Sequence, residues 1–236
     1  MKISLCIPMY NESSIIANTA QELYEYMNEH FDDYEIIFSD DGSRDGSVEI
    51  VRNLNLPNVK VVGYEKNQGK GCAVRHGVLA SCGDMVIFTD ADLAYGVDVI
   101  KEAVEIMAKG EYNVVVASRA KHKEGYEGYT LIRKLASKTY IKVINLFGGI
   151  KISDSQCGFK AFDGQMGRKI FSYCKTNNFA FDLEVILIAQ KMKLKIYELP
   201  AKIINHRESK VNVVKDALKM MKEISVIKKN IAKIEF

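Results

Sequence analysis

Residues 84–92 read DMVIFTDAD: a short β-branched and aromatic run, Asp84 to Thr89, that stops at two aspartates with one alanine between them. An apolar run of this length reads as a buried strand. Carboxylates just past its carboxyl end lie where an open parallel α/β sheet places its ligands. Working outward, the same unit recurs. ISLCI (Ile3 to Ile7), YEIIFS (34–39), VKVVGY (59–64) and YNVVVAS (112–118) are further strand-like runs. Between them lie helix-like stretches at 13–30, where Ile16, Ala20, Leu23 and Met27 share a face, and at 45–54, 70–82 and 96–109. This rhythm predicts an α/β fold, a mainly parallel sheet flanked by helices with right-handed crossovers.

After Arg119 the pattern loosens. A polar, glycine-containing loop (Lys121 to Gly128) leads to a helix-like segment near 130–147, then DSQCGFKAF (154–162), helices near 164–174 and 181–192, and a short strand KIYELP (195–200). No proline- or serine-rich joint divides the chain, so 1–210 reads as one domain, with 1–119 and 120–210 as its two halves. From Val211 to Phe236, Val213, Ala217, Met220, Ile224, Ile227, Ile231 and Ile234 recur at helical spacing among lysines, an amphipathic C-terminal helix.

Composition narrows the class. The 236 residues are 47% apolar and 27% charged, which fits a globular domain and excludes disordered or collagen-like chains. Thirty-three basic against 30 acidic residues leave a net charge of +3, too balanced for a nucleic-acid footprint. The five cysteines are scattered with no Cys-x-x-Cys pair and no leader precedes Ile3, which reads as a reduced cytoplasmic setting. No run of about 18 apolar residues is present, so any membrane association is expected to be peripheral.

The residues that follow each strand carry the chemistry: PMYNE (8–12), DDGSRDG (40–46), NQGKGCAVRHG (67–77), DAD (90–92) and Ser118-Arg119. Asp90 and Asp92 can face one hard cation, magnesium or manganese, with phosphate completing its shell. Alone, such a turn also serves to cap the next helix, and Ser43, Asp45 and Gly46 read equally as turn chemistry. The P-loop pattern fails because Gly71 stands where a hydroxyl residue belongs, and the Rossmann fingerprint fails because the turn from Pro8 to Ser14 holds no glycine. Gly69 and Gly71 instead allow close backbone approach, with Lys70 or Arg75 near phosphate or its carboxylate neighbours. Cys157 has no acid and histidine partner at a recognisable spacing and reads as packed.

In this order and spacing, PMYNE, DDGSRDG, NQGKGCAVRHG and DADLA resemble the family 2 glycosyltransferases with a GT-A fold. Ser118-Arg119, Arg133, DSQCGFKAF, FDLEVILIA (181–189) and RESK (207–210) resemble the polyprenyl-phosphate hexose synthases, DSQCGFKAF being nearest the dolichyl-phosphate β-glucosyltransferase branch. The resemblance implies that Pro8, Tyr10, Glu12, Ser39, Asp41, Lys70, Arg75 and Ala91 help to hold a nucleotide sugar, UDP-glucose above others. It implies that Asp90 and Asp92 hold a divalent metal on the diphosphate. Arg119, Arg133, Arg207 and Lys210 would hold the phosphate of a polyprenyl phosphate acceptor, with Asp92, Arg119 and Arg133 closest to catalysis. Where mannosyl-transferring relatives often carry a polar metal contact, this chain has Ala94, which argues against GDP-mannose.

Such an enzyme would invert the donor's anomeric centre at the cytoplasmic face of a membrane. Two segments could meet the surface, alone or through a membrane-protein partner or homodimer: the C-terminal helix and residues 126–147, where Tyr126, Tyr129, Leu131, Leu135 and Phe147 mix with Arg133, Lys134, Lys138 and Lys142. Two other readings stay open at this point: transfer to a saccharide hydroxyl, with Asp154 as base, and a nucleotide-sugar-binding subunit without catalysis.

Overall fold

The computed structural model describes residues 1–127, 139, 141–142, 145–146, 148–205 and 213–235. Strands β1 (Ile3–Met9), β2 (Tyr34–Asp40), β3 (Val59–Gly63), β4 (Met85–Phe88) and β5 (Val114–Ser118) alternate with helices α1 (Ile16–His30), α2 (Ser47–Asn53), α3 (Lys70–Leu79) and α4 (Asp98–Ala108). Strand β6 (Lys160–Asp163), helices α5 (Gly164–Tyr173) and α6 (Phe181–Lys191), strand β7 (Ile196–Pro200) and helix α7 (Val213–Ala232) follow. The seven strands form one sheet in the order β3-β2-β1-β4-β6-β5-β7. β1 pairs in parallel with β2 and β4, β2 with β3, and β5 with β7.

β6 is the exception to the parallel pattern. It runs antiparallel between β4 and β5, pairing Phe88 with Lys160 and Val116 with Lys160 on its two sides. The return is short because α5 begins directly at Gly164, where the Asp163 carboxylate accepts a hydrogen bond from the Met166 N–H at 3.0 Å and caps the helix.

Alternation along the strands sorts the core into two layers. Leu5, Ile7, Ile36, Phe38 and Ile87 face α1 and α4, whose Ile16, Ala20, Leu23, Met27, Ile100 and Ala103 are buried against them. Cys6, Ile37, Val86, Phe88, Val114 and Phe162 face α3, α5, α6 and the C-terminal helix. The final turns of α7 join that second layer through Ile224, Ile227 and Ile231, and the Lys191 ammonium donates to the Ile231 carbonyl at 2.6 Å. The apolar stripe of the C-terminal helix is thus spent, over these turns, on the domain's own core. Among the described residues no helix is long and apolar enough to cross a membrane.

Candidate functional site

All of the parallel strands β1, β2 and β4 end on one rim, and the segments that leave them enclose a cleft of about 420 Å³. Pro8, Tyr10 and Glu12 line it after β1, Asp41 after β2, Gly69 and Lys70 after β3, and Asp90, Ala91 and Asp92 after β4. Eight of the residues expected at a nucleotide sugar therefore meet in one place. Phe179, ahead of α6, closes the lining and is exposed at its edge, as is Tyr10. Two exposed rings at the edge of the cleft suit a planar base.

The Asp90–Asp92 turn is held from both sides. Leu93 adopts a left-handed φ of 47°, and its N–H donates to the Asp90 carbonyl at 3.0 Å. The Asn205 amide donates to the Leu93 carbonyl at 3.0 Å, while an Asp92 carboxylate oxygen accepts from the Ala94 N–H at 3.2 Å. The Asp90 side chain rests on Gly158: a Cβ built there would stand 2.8 Å from the Asp90 carboxyl carbon, inside any permitted contact. DSQCGFKAF thus contributes a glycine shaped around the first aspartate.

The Lys70 ammonium lies 2.5 Å from the Asp90 carboxylate. Burial alone would lower the Lys70 pKa, but the carboxylates of Asp90, Asp182 and Asp92 outweigh it and raise it, so the side chain is a fixed cation. Behind this pair, Lys160 is fully buried, forms an ion pair with Asp182 and donates to the Cys157 carbonyl at 2.7 Å. Sequence reasoning missed this second pair. Its signal was a charge inside each of two apolar runs, Lys160 in GFKAF and Asp182 in FDLEVILIA, since buried charges are rarely left unpaired.

Asp41 at the cleft, and Ser39 and Arg75 behind it, brace its frame. The Asp41 carboxylate accepts from the Tyr64 hydroxyl (2.7 Å), the Asn67 amide (2.8 Å) and the N–H groups of Gln68 (2.8 Å) and Gly69 (2.9 Å). It therefore shapes the loop that delivers Lys70. The Ser39 hydroxyl is buried and donates to the Ala73 carbonyl at 2.7 Å, and Arg75 donates to the Cys174 carbonyl and, at 2.9 Å, to Asn177. Neither Ser39 nor Arg75 lines the cleft; both fasten α3 beneath it. Ser43 and Asp45 do turn work, accepting from the N–H groups of Asn11 and Ser13 at 2.9 Å each and tying the loops after β1 and β2 together.

Past β5, Arg119 forms a two-pronged pair with Asp154, Nε to Oδ2 at 2.7 Å and Nη2 to Oδ1 at 3.0 Å, with its guanidinium 5.9 Å from the centre of the Tyr126 ring. Asp154 is fully buried. Burial opposes the Arg119 charge, but Asp154 more than compensates and holds it fully protonated. Both oxygens of Asp154 accept from Arg119, so this carboxylate sets the orientation of the guanidinium. Arg133, Arg207 and Lys210 lie outside the described residues, as does most of the 126–147 segment. Cys157 is buried, and burial pushes its thiol up to about 12, in keeping with a packing role.

A second cavity, about 770 Å³, opens next to this pair, beside Ala120 and Ser153; Tyr126, Ile141, Leu146 and Ile150 give it an apolar wall and Lys142 and Lys151 a basic one. Glu198, another residue the sequence reading passed over, accepts from the Ser153 N–H at 2.7 Å and so fixes the residue before Asp154.

The chain matches the family model described as "Glycosyl transferase family 2" over residues 4–171. The chain belongs to glycosyltransferase family 2. Within it, the chain is 32% identical over 220 residues to a dolichyl-phosphate beta-glucosyltransferase of Trichomonas vaginalis, covering 88% of this chain and 65% of that one. It is 28% identical over 246 residues to the dolichyl-phosphate beta-glucosyltransferase of Saccharomyces cerevisiae, covering 96% of this chain and 74% of the relative. Among solved structures, glucosyl-3-phosphoglycerate synthase from Mycobacterium tuberculosis, in complex with Mn2+, UDP and glucosyl-3-phosphoglycerate, superposes with a TM-score of 0.68 at 18% identity, over 100% of this chain and 81% of that one. The fold of this family 2 member is therefore GT-A.

The family implies a divalent metal at Asp90 and Asp92. Among the described residues no group of three or more His, Cys, Asp or Glu side chains is placed to hold a metal ion by itself. Two carboxylates are nonetheless what a hard cation needs when substrate phosphates and water complete its shell. A cation already sits there, the Lys70 ammonium on Asp90, and Gly158 leaves that carboxylate room. The residues fit the ion.

Proposed function

We propose that this glycosyltransferase moves glucose from UDP-glucose to a polyprenyl phosphate at the cytoplasmic surface of a membrane, inverting the anomeric centre. The observation that carries the reading is the cleft itself, where an aromatic rim, the Asp90–Asp92 turn and a lysine meet on the carboxyl ends of β1, β2 and β4. The kind of donor and acceptor is favoured by the dolichyl-phosphate glucosyltransferases to which the chain is similar.

In this reading Tyr10, Pro8 and Glu12 hold the nucleoside, and Asp41 acts through the loop it shapes. Asp90 and Asp92 would hold a magnesium or manganese ion, which, when bound, supplies positive charge to the departing diphosphate. Lys70 adds a second positive group on the same side. The acceptor phosphate is already an anion at neutral pH, so the protein's task is to orient it and suppress its repulsion from the donor. Arg119, locked in orientation by Asp154, supplies that charge; Arg133, Arg207 and Lys210 are proposed to join it. The apolar wall beside Arg119 offers a path for the first isoprene units of the acceptor. With Asp154 consumed by Arg119, an acceptor that arrives ionised suits the site better than a sugar hydroxyl, which needs a base.

Incubating the full chain with manganese, a short polyprenyl phosphate and labelled UDP-glucose, UDP-galactose, UDP-GlcNAc or GDP-mannose tests the proposal. Label is expected in butanol-extractable lipid from UDP-glucose above the others. Donor hydrolysis or transfer to saccharide with no labelled lipid would sink the acceptor assignment.

A further inference from the structure

Lys70 begins α3, and its backbone is pinned. The Gly71 N–H donates to the Asn177 carbonyl at 2.7 Å, and a Cβ on Gly71 would press against Thr176 and Phe181, so the helix start cannot shift. Its side chain is different: it lines the cleft, and its ammonium spans to Asp90 with both groups about a quarter exposed. A lysine stem on a fixed Cα can swing without moving the fold. The other acid nearby, Asp182, already has its own cation in the buried Lys160. Lys70 therefore serves the Asp90–Asp92 pair rather than the interior.

Formal charges make the consequence plain. Two carboxylates and one ammonium leave a single negative charge, and a divalent cation added to that set turns it positive while competing with Lys70 for Asp90. A nucleotide diphosphate reverses this, because it brings at least two negative charges and gives the ammonium a new partner within reach of its stem. We propose that Lys70 is the resting counter-ion of the metal site and makes metal binding conditional on the nucleotide: it leaves Asp90 when a divalent cation arrives and re-pairs with the diphosphate. This inference rests on the sugar-nucleotide reading above and goes beyond it by setting an order of events.

The test is a manganese titration of the full chain, read by the electron paramagnetic resonance of free Mn2+, with and without UDP, for the wild type and Lys70→Ala. Without nucleotide, Lys70→Ala is expected to bind Mn2+ about tenfold more tightly than wild type, the scale of ordinary site-to-site coupling. The enhancement that UDP brings should shrink by a similar factor. Lys70→Arg, which keeps the cation, should stay close to wild type without nucleotide. Should the alanine variant fail to fold, Lys70→Gln is titrated in its place. If wild type takes up Mn2+ with UDP while the neutral variants bind Mn2+ alone no better than wild type, the counter-ion role is wrong and the sugar-nucleotide reading stands. If wild type takes up neither Mn2+ nor UDP under any condition, both fall together.

Discussion

Replacing Gly158 by alanine isolates the placement of Asp90 from every other feature of the cleft. The added Cβ would stand 2.8 Å from the Asp90 carboxyl carbon. Carbon atoms in contact rest about 3.5–4.0 Å apart, so the carboxylate must retreat by roughly 1 Å. Gly158 does not have a left-handed φ, so alanine brings no backbone strain and the effect is steric. Overpacking of this kind costs about 1–3 kcal/mol of stability, which a domain of this size survives. A misplacement of about 1 Å at a reacting centre can cost on the order of a hundredfold in rate. Gly158→Ala is therefore expected to stay folded by urea denaturation and circular dichroism while turnover drops by about two orders of magnitude and Mn2+ affinity in the presence of UDP weakens. A folded variant with wild-type turnover and metal affinity would show that Asp90 has slack on its Gly158 side, and the cradle would carry no functional weight.

Asp92→Asn should cut transfer by on the order of a hundredfold or more, and excess chelator should do the same to the wild type; full activity in chelator would remove the metal from the scheme. Asp154→Ala strands the Arg119 guanidinium beside a cavity, and breaking a buried pair from one side costs about 3–5 kcal/mol, read as a lower urea midpoint; a loss below about 1 kcal/mol would mean that water reaches the pair. Glu35 sets an acid limit on stability. Burial opposes its charge, but hydrogen bonds from Lys60, Ser4 and Cys82 win and bring its pKa from 4.5 to about 2. With the folded value below the unfolded one, its stabilisation is complete above about pH 5 and drains away as pH falls toward 2. Glu35→Gln should flatten the urea midpoint over that window, and an unchanged slope would assign acid sensitivity to other carboxylates.

Much of this arrangement was legible in the sequence because strand, turn and ligand group come in fixed order along a parallel sheet. The strand ends after Ile7, Ser39, Thr89 and Ser118 were found within one or two residues, and eight of the residues expected at the donor line a single cleft. What stayed hidden was geometry between distant segments. KAFD, Lys160 to Asp163, is too short and too uniformly buried to show a strand period, so nothing local announces that it runs backwards between β4 and β5. Ser39 and Arg75 sit in matching motifs, yet their partners, the Ala73 carbonyl, the Cys174 carbonyl and Asn177, are chosen by packing that no motif records. Asp154 is the opposite case: the motif marks it as important, and its two-pronged bond to Arg119, thirty-five residues earlier, is visible only in the fold.

The reversed strand has a consequence for how the protein comes into being. β4 and β5 both emerge early from the ribosome, but they are never neighbours; each must wait for Lys160–Asp163 to slot between them. Until then two strand edges of the nascent sheet stand open, a condition that invites pairing with other chains. Residues 1–119 taken alone would therefore leave β4 and β5 unjoined. Pairings that span so much chain also close slowly, and because the loop holding Asp154 and Gly158 leads straight into β6, the docking of that strand and the placing of that loop are coupled.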